Sequence, residues 1–344
     1  MKKVRLNCAK IVLTLLAAMS SFVSFAQTDS LIFSNGEMVI GEIKQMSRGI
    51  VKIETSYSDS DFNIEWNKVS WIRSSENHLI TLSDGRRFNA SINSTAKDDE
   101  IVLDDGTQKI LIHVQEIVAF KPINDTFWDK FSASIDLSLD LTKANNLTQF
   151  STRTNVGYLT KRWEVKGNYN TVFSSQDSVA DISRMDANVT FNYFLPSDWY
   201  VFYSNDFLQN DEQKLALRST SKLGVGYYLV RTNSTYFGLY GGIAGNNETF
   251  TENSAPDRKS GEAFVGLELN LFDIGDLSIL TNATAFPSLT EDNRIRLDFK
   301  FDLKYDLPLD FYIKTGTTIN YDNQPIEGAG DLDYVIQTGI GWEW

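Results

Sequence analysis

The chain has 344 residues, 42% of them hydrophobic and 12% aromatic, with a formal net charge of -13 and a sequence pI near 4.7. That acidity excludes nucleic-acid binding through a basic surface, and the length admits two domains. One cysteine and two histidines exclude a disulfide framework and cysteine-based metal sites.

Residues 1–26 read as an export signal. Lys2, Lys3, Arg5 and Lys10 form a basic start, Ile11 to Met19 is apolar, and Ser24, Phe25 and Ala26 give a small-x-small cleavage site. Cleavage after Ala26 would remove four basic and no acidic residues and take the net charge from -13 to -17. Cys8 precedes the apolar run instead of following it at the cleavage point, so it is expected to leave with the signal and carry no lipid. No later stretch approaches the roughly 20 apolar residues of a transmembrane helix, so any membrane span has to be a closed barrel.

Residues 27–122 are predicted to form a β-rich domain with a weak internal repeat. Leu31 to Gly36 (LIFSNG) is echoed by Ile80 to Gly85 (ITLSDG), and the run from Ile64 to Ile72 by Leu111 to Phe120. This predicts two small β units of about fifty residues each, of the Sm-like or SH3-like kind. Asn35-Gly36 and Asp84-Gly85 are hairpin signals of the type I′ turn, which needs positive φ at both central residues. Asp104, Asp105 and Gly106 mark a further turn. His78 and His113 both fall in this region without a cysteine or second histidine at ligand spacing, so structural roles are expected, His113 facing solvent or a hydrogen-bond partner. Asp98, Asp99, Glu100, Asp104 and Asp105 lack the ordered spacing of a calcium loop and read as a solvated hairpin.

A connector, 123–130, leads to a region that alternates to residue 344. Its clearest stretch is Asn293 to Asp306. There Ile295, Leu297, Phe299, Phe301, Leu303 and Tyr305 alternate with charged residues, and only a β-strand puts the two sets on opposite faces. About twelve segments have the length of a tilted membrane strand: 131–142, 149–160, 163–173, 182–194, 199–208, 216–230, 235–246, 260–272, 277–286, 293–306, 311–322 and 333–344. Short and long connections alternate between them. Tyr158, Trp163, Tyr193, Trp199, Tyr227, Tyr236, Phe272, Tyr305 and Phe311 crowd the ends beside the short turns, as in an interfacial girdle. The predicted fold is all-β: a transmembrane antiparallel β-barrel of about 12 strands after a small β-rich periplasmic domain.

Strand parity points Asp136, Asp140, Arg153, Glu164, Lys166, Arg184, Asp186, Arg218, Lys222, Glu262, Glu268, Arg294, Arg296, Asp298, Lys300, Asp302, Lys304 and Lys314 inward. Both signs are present, and a barrel of this size is intermediate between filled and open ones, so a narrow or plugged lumen is expected. Residues 114–344 contain neither histidine nor cysteine. No catalytic residue, metal or cofactor is therefore expected, and no enzymatic activity.

The terminal strand ends Ile340, Gly341, Trp342, Glu343, Trp344. Trp342 and Trp344 resemble the C-terminal signal read by the barrel-assembly machinery, with tryptophan where phenylalanine is usual. The signal segment, the strand-rich domain carrying DSLIFSNGEMVIGEI and NHLITLSDGRRFNASI, and the terminal barrel together resemble the salt-induced outer-membrane protein family, itself of unknown function. The resemblance covers about Phe131 to Trp344. It implies an outer-membrane location in a Gram-negative envelope, with the N-terminal domain in the periplasm, and brings no catalytic residues. Outer-membrane lipid and the assembly machinery are the expected partners. The expected role is a narrow porin-like channel or a structural envelope barrel. The alternatives are a scaffold whose periplasmic domain binds a protein partner and a soluble secreted all-β binding protein.

Overall fold

The computed structural model describes residues 29–342 except 96–98, 124–125, 144–145, 178–181, 211–214, 251–255, 275, 309–310 and 326–329. The expected signal segment, Asp98 and Trp344 lie outside the described residues. The chain forms a nine-stranded and a twelve-stranded sheet.

The first sheet is built from β1 (Asp29–Phe33), β2 (Met38–Ser47), β3 (Ile50–Glu54), β4 (Phe62–Glu65), β5 (Val69–Leu82), β6 (Arg87–Ser94), β7 (Glu100–Asp104), β8 (Lys109–His113) and β9 (Ile117–Pro122). The repeat survives as element order. Four strands, a 3-10 turn and a closing strand occur twice, with turns at Trp66–Lys68 and Val114–Glu116. The long β5 closes the first unit and opens the second. The units do not stand apart, however, because each lends its closing strand to the other. β5 pairs with β6 at Arg73 and Asn93, and β9 pairs with β2 at Met46 and Phe120.

One core joins them, with Leu31, Ile43, Ile53 and Ile72 from the first unit against Ile80, Ile92, Leu103 and Phe120 from the second. At its centre Trp66 is wholly buried, donates its indole N–H to the Val114 carbonyl at 3.2 Å and meets Phe120 edge-on at 5.6 Å. His78 is also buried, its Nδ1 2.9 Å from the Glu76 carbonyl oxygen. Burial pushes its imidazole down to about 4, so it is a neutral core residue at physiological pH. His113 is exposed.

The turns correct one expectation. At Asn35-Gly36 and Asp84-Gly85 only the glycine has positive φ (85° and 81°), so neither is type I′. Asn35 instead accepts the Glu37 N–H on its side chain at 3.0 Å, leaving Gly36 to take the left-handed position. Within this domain two consecutive positive φ values fall instead at Arg48-Gly49 (54° and 74°), between β2 and β3, and in the rest of the chain at Ser197-Asp198 (58° and 62°).

A short helical turn, α1 (Phe127–Lys130), precedes the second sheet. Its strands are β10 (Phe131–Thr142), β11 (Leu147–Leu159), β12 (Trp163–Ser175), β13 (Ile182–Phe194), β14 (Trp199–Asn210), β15 (Leu215–Arg231), β16 (Thr235–Phe250), β17 (Arg258–Ile274), β18 (Leu277–Pro287), β19 (Ile295–Asp306), β20 (Phe311–Asp322) and β21 (Leu332–Trp342). Each pairs antiparallel with the next in sequence, a barrel-like meander of the predicted twelve strands. No ladder joins β10 to β21 among the described residues, and both faces of β10 are exposed from Ser132 to Leu139.

The two faces of the sheet are chemically opposite. Leu223, Val225, Ile243 and Val265 stand exposed on the outer face, Ile243 at 60%. Ala244, Asn246, Glu248, Glu262 and Phe264 are buried on the inner one. Outer aromatics meet at the short-turn end, Tyr158 stacked on Trp163 at 5.2 Å and Trp199 tilted against Tyr227 at 4.8 Å. Two predicted girdle residues depart from that pattern. Tyr236 and Phe272 lie on the inner side, where their rings meet at 5.2 Å and Arg48 lies over Phe272.

Candidate functional site: a chamber beneath the N-terminal domain

The strand registers carry inner-face residues around the barrel in continuous rows. Asp136 neighbours Arg153, which neighbours Asn170, then Asp186, Leu208, Arg218 and Glu248. Arg184 faces Asn210 across β13 and β14, and Lys222 faces Ser204 across β14 and β15. Glu268, Asp298, Lys300, Asp302 and Lys304 face Asn282, Thr284, Asn282, Leu280 and Ser278 of β18. Asp140 faces Gln149, but its side chain, like that of Trp342, is outside the described residues.

Toward the long-loop end the charges condense into a buried network. Arg294, 1% exposed, reaches Asp322 at 2.6 Å, Glu291 at 2.7 Å and Glu248 at 3.4 Å. Arg218 bonds Glu248 at 2.7 Å, Arg258 bonds Glu291 at 2.6 Å, and Arg296 holds Glu262 at 2.6 Å while its guanidinium lies 4.8 Å from the Phe286 centroid. Four arginines against four carboxylates make an electroneutral cluster, which is what lets charges sit away from water. Next to it Phe202, Phe264 and Phe286 form an inner aromatic cluster with Tyr240, centroids 5.8 to 6.1 Å apart between successive phenylalanines. The cluster fits because β15 offers no side chain where Phe202 leans. A Cβ at Gly224 would come within 2.7 Å of that ring.

At the opposite, short-turn end the N-terminal domain sits on the rim. Arg87 lies 4.0 Å over the Phe194 ring, Arg48 5.4 Å over Phe272, and Lys161 reaches back to within 5.9 Å of the Phe88 ring. Asn233 donates its side-chain amide to the Gln115 carbonyl at 3.3 Å. Between this cap and the aromatic cluster lies a cavity of about 560 Å³. Thr81, Arg87, Val118 and Ala119 of the N-terminal domain form one side. The barrel contributes Glu164, Lys166, Asn188, Asn192, Tyr200, Tyr228, Arg231, Tyr236, Glu268 and Asn282, among others. Among the described residues no cluster of three or more histidines, cysteines and acids is arranged to hold a metal ion.

Lys166, Lys222 and Glu268 border this chamber, while Arg218, Arg294 and Arg296 belong to the network beyond it. Lys300 is largely exposed, 3.7 Å from Asp302, and Lys304 lies 3.0 Å from Asp306. Sequence reasoning missed Glu248, Asp322, the inner aromatics and Arg87. Parity could have found Glu248 had β16 been extended to Phe250, and the break in alternation at Tyr200 to Phe202 was the sign of rings turned inward. Nothing local marks Arg87, because its role depends on how the domain docks.

The fold and chamber define a barrel-like all-β protein whose interior is closed at one end by its own N-terminal domain. Over residues 135–344 the chain matches the family described as "Protein of unknown function, DUF481", and it belongs to that family. No curated protein matches it. A solved structure described as "Structure of porin refined at 1.8 Angstroms resolution" aligns over 92% of this chain and 98% of its own, at 13% identity and a TM-score of 0.31, a likeness too slight to carry a conclusion.

Proposed function

We propose that the protein is a non-catalytic outer-membrane β-barrel, a channel-like protein held in a shut state. The observation that carries this reading is the chamber itself, capped by the N-terminal domain at the short-turn end and by the arginine–carboxylate network at the other. The exposed apolar outer face supports lipid as its surroundings. In lipid the free edges of β10 and β21 have to pair with each other, since an unsatisfied backbone group there costs several kcal/mol. Their parity allows it, because Ile135 and Leu137 share the outer face with Ile336 and Ile340. The inner charged residues then line a lumen, and the N-terminal domain lies in the periplasm. Trp342 and Trp344 serve the assembly machinery.

The test is conductance of the full chain in planar bilayers, with insertion checked by heat-modifiable gel mobility. Cysteines placed at Gln115 and Asn233 allow the domain to be crosslinked to the rim. Rare openings that the crosslink abolishes are expected. Steady conductance unaffected by the lock would refute the cap, and failure to insert would refute the membrane reading. A scaffold role for the N-terminal domain is the second reading, supported by Met38 (56%) and Ile40 (44%) standing exposed on β2. A photo-crosslinker at Ile40 should then give one defined adduct in the envelope.

A further inference from the structure

Four cationic side chains border the chamber, and three have a carboxylate of their own. Lys166 lies 2.9 Å from Glu164, Lys222 lies 2.6 Å from Asp206, and Arg231 lies 3.2 Å from Asp198. Arg87 differs. Its Nε and Nη1 are buried and meet no hydrogen-bond partner among the described residues. The acid that acts on it most strongly, Glu164, is already engaged by Lys166 and by the Asn192 amide at 3.4 Å. Burial pushes its guanidinium down to about 10, which still leaves it cationic at neutral pH.

Buried donors without an acceptor are costly, and a guanidinium presents them as a planar fork that matches the two oxygens of a carboxylate or the face of a phosphate. The Phe194 ring, 4.0 Å from the guanidinium carbon, fixes the orientation of that fork. Beyond it the walls supply the rings of Tyr200, Tyr228 and Tyr236 and the amides of Asn188 and Asn192. Flat apolar surface beside a few convergent polar groups, in a volume of about 560 Å³, is the make-up of a small-molecule site.

We propose that the chamber binds a small organic anion, whose carboxylate or phosphate is taken by Arg87 and whose body lies against the tyrosine wall. This rests on the capped-barrel reading, because Arg87 comes from the cap. Occupancy would bridge cap and barrel, so the ligand would hold the two together.

The experiment uses the full chain in detergent micelles and follows thermal unfolding and titration calorimetry with benzoate, phenyl phosphate, inorganic phosphate, benzyl alcohol and the lipid phosphatidylglycerol. Benzoate or phenyl phosphate should bind at least about tenfold more tightly than benzyl alcohol. Arg87→Gln should remove that preference, and Arg87→Lys should keep part of it. Lys109→Gln, away from the chamber, should leave it unchanged. Equal binding of benzyl alcohol, no loss in Arg87→Gln, binding of phosphatidylglycerol alone, or no binding of any anion at millimolar concentration would each overturn the site. Heat-modifiable mobility confirms that each variant is folded. The crosslink between positions 115 and 233 reports docking separately, so absence of binding in a docked protein counts against the anion site and not against the cap.

Discussion

In β7, Ile101 and Leu103 are buried while their neighbours Glu100 and Val102 are partly exposed. In β16, Leu239 and Ile243 are exposed while Asn246 and Glu248 are buried. Both strands alternate, and both belong to antiparallel sheets. The N-terminal domain turns its apolar face to a common core, whereas the barrel turns it outward and keeps its charges inside. Alternation alone therefore specifies a two-faced sheet and leaves open which face is interior. That is decided by what the enclosed side must hold, which is hydrocarbon in one region and paired charge in the other.

The contrast can be broken first at Trp66. Trp66→Ala should cost the N-terminal domain about 3 to 5 kcal/mol, read from hydrogen exchange of residues 29–123, because it empties the core that the two units share. A loss confined to the first unit would mean that the units are independent. The matching change inside the barrel is Arg294→Met. It strands Asp322 and leaves Glu248 and Glu291 with Arg218 and Arg258 alone, and should cost about 3 to 5 kcal/mol, measured by denaturant unfolding in micelles. A neutral result would show that water reaches the network.

On the outer face, Ile243→Arg should cost about 2 to 4 kcal/mol in vesicles if that residue lies near the bilayer midplane. The cost should nearly vanish if the outer face is solvated. The mildest test is pH. Burial holds the His78 imidazole at about 4, below its ordinary value of 6.5, so the unfolded chain binds the extra proton first. Stability of the N-terminal domain should be full above about pH 6.5 and fall by about 2 to 3 kcal/mol as pH drops toward 4. His78→Leu should flatten that slope in pH-corrected hydrogen exchange.

Much of the barrel was legible in the sequence because each membrane-length strand carries its own record of facing. β10, β13 and β20 begin and end where the alternation does. Legibility fails where a residue's environment is set by a distant element. Tyr236 and Phe272 are aromatic and near a rim, as girdle residues would be, but the N-terminal domain sits against that rim and offers them Arg48. The repeat predicted two units, yet exchange of closing strands is invisible to a pattern that each unit satisfies by itself. The chamber is the extreme case, since Arg87 and Glu164 are brought together only by docking.

The meander also governs the order in which the barrel can form. Each of its eleven ladders joins strands adjacent in sequence, so each can zip from a turn at small loop-closure entropy. Joining β10 to β21 is different, because it brings together segments at opposite ends of the sheet's sequence. Under the proposed closure, a growing sheet therefore keeps an open edge at β10 until the last strand arrives. Mutations in the turns should slow early hairpins individually, whereas shortening β21 should leave the hairpins intact and arrest the molecule as an unclosed, edge-sticky sheet.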